Sequence, residues 1–287
     1  MLKLSRPLHL LLAALTYLLG AGVADYLGKP FRAEPFWLGF VIIIFAQASM
    51  SLLAEVFRPE NEPILENETR LERIKLRGNL LYIAIAFLAT DAVLAFLLFN
   101  NKNLPLSALS FLLLSLLIIV LHSIPPFRLL NRGFGEFLLA AQLAYLIPSI
   151  AFLLQADEYH RLLFTITLPL TILALAYFLV TNFPSFAIDQ KYQRLTLLRR
   201  LSWERAVPLH HSLVIASYVL FLAAAFLGPS LKLLWPAFLT LPFAALQVAL
   251  LRNISLGVKP NWTLLTSTAL GVFGLTVYFL TLTFWLR

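Results

Sequence analysis

Nine runs of about 20 mostly apolar residues dictate what this chain folds into. They fall near 8–27, 36–57, 78–99, 106–123, 135–154, 162–183, 206–227, 230–251 and 263–286. Each is long enough to carry a helix across the roughly 30 Å hydrocarbon core of a bilayer. In that core the backbone must satisfy its own hydrogen bonds, and a helix does so within one segment. Composition agrees: 60% of the residues are hydrophobic and 13% are charged, against about 45–50% and about 25% in soluble domains. The reading is an all-α integral membrane protein, with about nine transmembrane helices around a central cavity and a single membrane domain over 1–287. No stretch between the runs is long enough for a soluble domain. The first run is long for a signal-peptide core, and no small-residue cleavage site follows it cleanly, so it is read as a helix. There are no cysteines, which excludes a disulfide framework, thiolate metal ligands and a cysteine nucleophile.

The basic residues orient the bundle. Of the 22 Lys and Arg, 16 fall on the side that carries the N-terminus and six on the other. The positive-inside rule then places the N-terminus in the cytoplasm and the C-terminus outside. The net charge of +8 reflects this bias. It does not point to nucleic acid, because no soluble basic domain exists to carry it.

The polar residues gather on the predicted cytoplasmic side in three patches. The first is AEVFRPENEPILENETRLERIKLR, residues 54–77. Within it Glu66, Glu68, Glu72 and Arg73 read as a solvated helix face with i,i+4 pairing. Glu55 differs, because it sits at the membrane end of a helix, where an ionisable group is costly unless paired, hydrated or bound to something. The second patch, TNFPSFAIDQKYQRLTLLRRLSWERA, residues 181–206, holds Asp189 in a similar position. The third, IPPFRLLNRGFGEF, residues 124–137, places Arg128 and Arg132 four apart before a helix that begins near Glu136. Arginines there suit an anion, and positive-inside topology alone also accounts for them. Asp91 lies deep in the third run, as a functional acid or as a hydrogen-bond partner of a neighbouring helix. The five histidines form no metal-site pattern: His210 and His211 are adjacent and point apart on a helix, as packing or interfacial residues do. The sequon at Asn261 falls in a predicted cytoplasmic loop and is read as idle.

These patches resemble the UbiA superfamily of intramembrane prenyltransferases along nearly the whole chain. PPFRLLNRGFGEF is similar to that family's proline-pair and arginine–glycine stretch and is the most specific match. NFPSFAIDQKYQRLTLLRRLSWERA resembles its second Asp-rich motif, with Asn182, Asp189, Thr196, Leu197 and Leu201 in register. QASMSLLAEVFRPENE resembles the first, with Gln47, Leu52 and Phe57 in register and Glu55 replacing an Asp. The opening SRPLH is a weaker match. The departures are specific. Ser185 stands where the second motif has its first Asp, Arg58 where the first motif has its second Asp, and Ala54, Gln193 and Leu195 replace further motif residues.

The resemblance implies an enzyme that joins an isoprenyl diphosphate to an aromatic or other lipophilic acceptor within the membrane lipid, as in quinone biosynthesis. Mg²⁺ would neutralise the diphosphate. Its ligands here would be Glu55 and Asp189, also the catalytic pair, with Glu60 and Glu62 as substitutes from the loop. Arg58, Arg128, Arg132, Asn182, Lys191 and Arg194 would bind the diphosphate. A carboxylate pair at i,i+4 can share an octahedral Mg²⁺. A serine hydroxyl and a guanidinium in their place weaken that site and favour metal-sparing binding. The implied setting is a bacterial inner (cytoplasmic) membrane. The alternative is a non-catalytic relative that binds an isoprenoid, quinone or pigment, or packs as a subunit of a membrane complex. A transporter is disfavoured, since no inverted repeat or paired broken helices are visible.

Overall fold

The computed structural model describes residues 4–65, 68–100, 104–227 and 231–287, with the side chains of residues 227 and 231 excluded. Glu66 of the sequence reading lies outside them. Among the described residues nine helices are long and apolar enough to cross a membrane: α1 (Pro7–Tyr26), α2 (Ala33–Val56), α3 (Arg70–Asn100), α4 (Leu106–Ser123), α5 (Gly135–Gln155), α6 (Arg161–Thr181), α7 (Trp203–Phe226), α8 (Lys232–Ser255) and α9 (Trp262–Trp285). The protein is an all-α integral membrane protein.

The helix that departs most from its apolar run is α3. It starts eight residues before the run, in the polar loop. Thr69 and Glu72 form a reciprocal cap there: the Thr69 N–H donates to the Glu72 carboxylate at 2.8 Å, and the Glu72 N–H donates to Oγ1 of Thr69 at 3.2 Å. Capping satisfies donors that the first turn would otherwise leave open. The expected solvated face is therefore corrected. Glu68 precedes the helix, accepts from the Ile64 and Leu65 N–H groups at 2.8 and 3.0 Å, and pairs with Arg73 at 2.6 Å.

α2, α5 and α6 form the most protected part of the bundle, and α1 packs tightly against it. Gly20 of α1 lies so close to Pro148 of α5 that an added Cβ would sit 2.0 Å from the Pro148 carbonyl oxygen. With lipid as apolar as Leu, close backbone approach is a main source of packing energy between spanning helices. Pro169 lies inside the continuous α6, and its carbonyl accepts from Ser217 of α7 at 2.8 Å.

Because successive helices alternate in direction, the segments 57–69, 124–134, 182–202 and 256–261 gather at the end that carries the N-terminus. All three polar patches meet there. α3 and α4 stand at the periphery, with Tyr82, Val93, Phe96 and Leu106 exposed, as lipid-facing side chains are.

Candidate functional site

A cavity of about 300 Å³ opens among the polar segments at the N-terminal end of the bundle. Its wall includes Arg6 and His9 from α1 and its approach, Glu55 and Arg58 from the end of α2, and Arg128, Glu136, Asn182, Ser185, Asp189, Arg194 and Thr196. Glu55, Asp189 and Arg128, from three distant parts of the sequence, face the same space.

The acids and arginines alternate in a continuous ladder. Glu55, buried at the end of α2, pairs with Arg58 one turn on and with Arg6 at 3.5 Å. Arg58 reaches Glu62 at 2.9 Å. Glu62, only 1% exposed, is held by Arg194, whose Nε donates to Oε2 at 2.8 Å. Arg194 also reaches Asp189 at 3.3 Å. The chain of contacts therefore runs Glu55–Arg58–Glu62–Arg194–Asp189 and ties the first motif to the second across more than 130 residues of sequence. Buried charges persist only when paired and hydrogen-bonded in this way.

Asp189 sits on a short helix, Phe186–Lys191, that follows α6. Its Oδ2 accepts from the Ser185 hydroxyl at 2.9 Å, the i,i+4 position where the sequence resemblance expects a second acid. Burial pushes the Asp189 carboxyl above the usual aspartate range, against the pull of Ser185, Arg199 and Arg58. Burial, aided by neighbouring Arg58, pulls both Arg128 and Arg194 down to about 10, which leaves them charged at neutral pH.

Arg128 is the cation that the ladder leaves over. It makes no ion pair among the described residues. Among the described residues its one side-chain hydrogen bond is a long 3.5 Å donation to the Ala54 carbonyl, and its Nε has no hydrogen-bond partner. Its backbone is left-handed, with φ 34° and ψ 60°. A non-glycine residue held there stores strain that the surroundings must sustain, a feature common at binding sites.

The remaining anchors are structural. Glu136 accepts from the Leu197 N–H at 2.9 Å and from the Asn182 side chain, joining α5, the end of α6 and the segment after Asp189. Arg199 donates to the backbone carbonyls of Asp189 and Arg194 at 2.9 and 2.8 Å. Asn182 lines the cavity through this brace rather than as an open donor. Three expected site residues stand elsewhere. Arg132 is exposed and donates to the Pro126 carbonyl at 2.8 Å, Lys191 is exposed and lies over its neighbour Tyr192, and Glu60 is exposed outside the cavity wall. The sequence reading did not select Arg6, Glu136 or His9 as site residues. Only the SRPLH and glycine–glutamate matches marked their neighbourhoods.

Next to the cavity, an apolar groove of about 410 Å³ runs between α1, α6 and α9 and shares Arg6, His9 and Thr181 with it. His9 packs edge-on against Phe178, with ring centroids 5.4 Å apart. The charged chamber and the groove thus share a wall made by Arg6, His9 and Thr181.

Mg²⁺ needs several oxygen ligands in octahedral array. Among the described residues no group of three or more His, Asp or Glu side chains is placed to hold a metal ion. The carboxylates of Glu55, Glu62 and Asp189 are spaced apart by the guanidinium groups of Arg58 and Arg194. As arranged, these residues do not fit a Mg²⁺ cluster, and the guanidinium groups occupy the positions between the acids.

The architecture is an intramembrane helical fold with a charged chamber at one end. Its particular form is the UbiA fold. A UbiA homologue from Archaeoglobus fulgidus bound to Cd²⁺ matches with a TM-score of 0.66 at 18% identity, covering 99% of this chain and 98% of that one. The same homologue bound to GPP and Mg²⁺ matches with a TM-score of 0.63 at 17% identity over the same shares. A digeranylgeranylglyceryl phosphate synthase matches with a TM-score of 0.65 at 14% identity, over 99% and 96%. No family model and no curated protein sequence matches the chain.

Proposed function

We propose that this protein is a divergent prenyltransferase of the UbiA fold that binds an isoprenyl diphosphate through arginine rather than through Mg²⁺. The observation that carries the reading is Arg128: a charged, nearly unpartnered guanidinium on a strained backbone, facing a cavity that shares a wall with a neighbouring groove. Guanidinium binds phosphate oxygens in a planar, bidentate manner and needs no metal. Support comes from the fold relative solved with GPP and Mg²⁺ and from the same homologue with DMAPP and Mg²⁺. In this reading the diphosphate lies on Arg128 and Arg6, and the isoprenyl tail follows the groove between α1, α6 and α9. Transfer breaks the bond between the allylic carbon and the diphosphate oxygen. The diphosphate leaves with the electron pair, and a lipophilic acceptor attacks the carbon and releases a proton. Guanidinium groups stabilise the departing anion less than a metal pair does, so turnover is slow. In this reading the site faces the cytoplasm, by the positive-inside bias.

One feature favours a second reading, binding without transfer. The ladder that holds Glu55, Glu62 and Asp189 leaves no carboxylate of these three free of a guanidinium contact. One experiment separates the two. Labelled geranyl diphosphate is bound to the purified protein in detergent with Mg²⁺ and with EDTA, and release of inorganic diphosphate is followed with an aromatic acceptor present. Binding within about threefold under both conditions, with slow release, supports the transferase. Equal binding with no release supports the second reading. Binding that collapses in EDTA overturns the arginine argument. Arg58→Asp with Ser185→Asp is expected to raise the dependence on Mg²⁺ sharply.

A further inference from the structure

A second pocket lies far from the charged cavity, among α2, α3 and α4, and holds about 190 Å³. Its α3 wall is Leu88, Asp91, Ala92 and Ala95, spaced so that all four share one helix face. Ile42, Ile43 and Ala46 of α2 close one side, and a leucine-rich face of α4 with Ser115 closes the other. The two alanines make the hollow, since a larger side chain at either position would fill it. Asp91 is the one ionisable group in this wall. It is 8% exposed, and neither carboxylate oxygen has a hydrogen-bond partner among the described residues. Ser115, the other polar group, already accepts from Gln142 at 2.6 Å.

Along α3, Asp91 stands nine residues before Asn100, so it lies about 13 Å from that end of the helix, well inside the apolar span. An acid at such depth is costly unless it meets a partner. The three helices supply none: no Lys, Arg or His lines the pocket. Among the described residues, nothing supplies the complement. The pocket borders lipid-facing side chains, with Leu113 58% and Leu116 43% exposed, so that complement enters sideways from the bilayer. A 150 Å³ apolar cavity accepts a benzene molecule, and this one has room for about six to nine carbon atoms by that measure.

We propose that the pocket between α2, α3 and α4 binds a small lipophilic amine, its ammonium group paired with the Asp91 carboxylate and its hydrocarbon on Leu88, Ile42 and Leu112. The ammonium supplies up to three donors, enough for both open oxygens, and brings the charge that the helices lack. This site is independent of the diphosphate cavity and stands whether or not that cavity is catalytic.

The test is photolabelling of the full chain in detergent with an eight-carbon alkylamine that carries a diazirine, followed by peptide mapping. Labelling is expected within 42–46, 88–95 and 109–119, and is expected to be displaced by excess octylamine and not by octanol. Asp91→Asn is expected to cut labelling at least tenfold. Ala95→Leu, which fills the hollow and leaves the charge in place, is expected to do the same. Three results overturn the proposal: labelling elsewhere in the chain, equal competition by octanol, or labelling that survives both substitutions. The second variant keeps the test decisive if the first fails to fold.

Discussion

The charged cavity and the α2–α3–α4 pocket treat buried acids in opposite ways. At the N-terminal end, Glu55, Glu62 and Asp189 are each answered by a guanidinium. Within the apolar span of peripheral α3, Asp91 is answered by nothing among the described residues. Arg128 mirrors Asp91: it is a cation that the ladder leaves over. The contrast separates two jobs for a buried charge. Where opposite charges share a desolvated space, they hold the fold, and removing one strands the other. Where a charge stands without a partner, the fold gains nothing from it, and its use must lie in what it meets.

The largest expected effect tests the first half of that contrast. Arg194→Ala leaves both Glu62 and Asp189 short of a partner and should destabilise the protein by about 3–5 kcal/mol, the usual cost of breaking a buried pair. Thermal unfolding in detergent measures it. A shift of only a degree or two would mean that the ladder is hydrated and contributes little.

Arg128→Ala should act the other way, leaving unfolding nearly unchanged while weakening geranyl diphosphate binding about tenfold to a hundredfold, the worth of a charge-assisted hydrogen bond of about 1.5–3 kcal/mol. Equilibrium binding with the labelled diphosphate reads this. A variant that binds normally would remove Arg128 from the site and leave the cavity without its distinguishing cation.

A smaller effect concerns Asp189. Its folded carboxyl lies above the usual aspartate range because it is buried. The folded state therefore holds that proton more tightly than the unfolded chain does. The stability this lends is complete below about pH 4, the unfolded value, and is lost as pH rises through the folded value. Asp189→Asn lacks this dependence. The difference in melting temperature, variant minus parent, should climb as pH rises from about 4 and then level off. A difference that falls over that range would show that Arg194 and Arg58 outweigh burial.

The smallest effect is predicted for Asp91→Asn. With no partner to strand among the described residues and the cost of an unpaired buried acid relieved, the change should not destabilise the protein and should leave geranyl diphosphate binding intact. A loss of several kcal/mol would place Asp91 among the structural acids and erase the contrast drawn above.

The nine spanning helices were readable from the chain because a bilayer acts on each segment separately: run length and apolarity are local quantities, and all nine expected runs match helices to within a few residues except at the start of α3. There the Thr69–Glu72 cap extends the helix into the polar loop, a local signal that apolar counting ignores. The gathering of three polar patches at one end also follows from sequence, since helices alternate in direction. Tertiary structure decided where each charge points. Arg58 and Arg194 turn to Glu62 rather than standing open to an anion, Arg6 reaches Glu55 across 49 positions, and Arg132 and Lys191 face outward. Nothing in the spacing distinguishes these arginines from Arg128. Which guanidinium is left unpaired depends on which acids share its desolvated space, and that proximity exists only once the helices have packed.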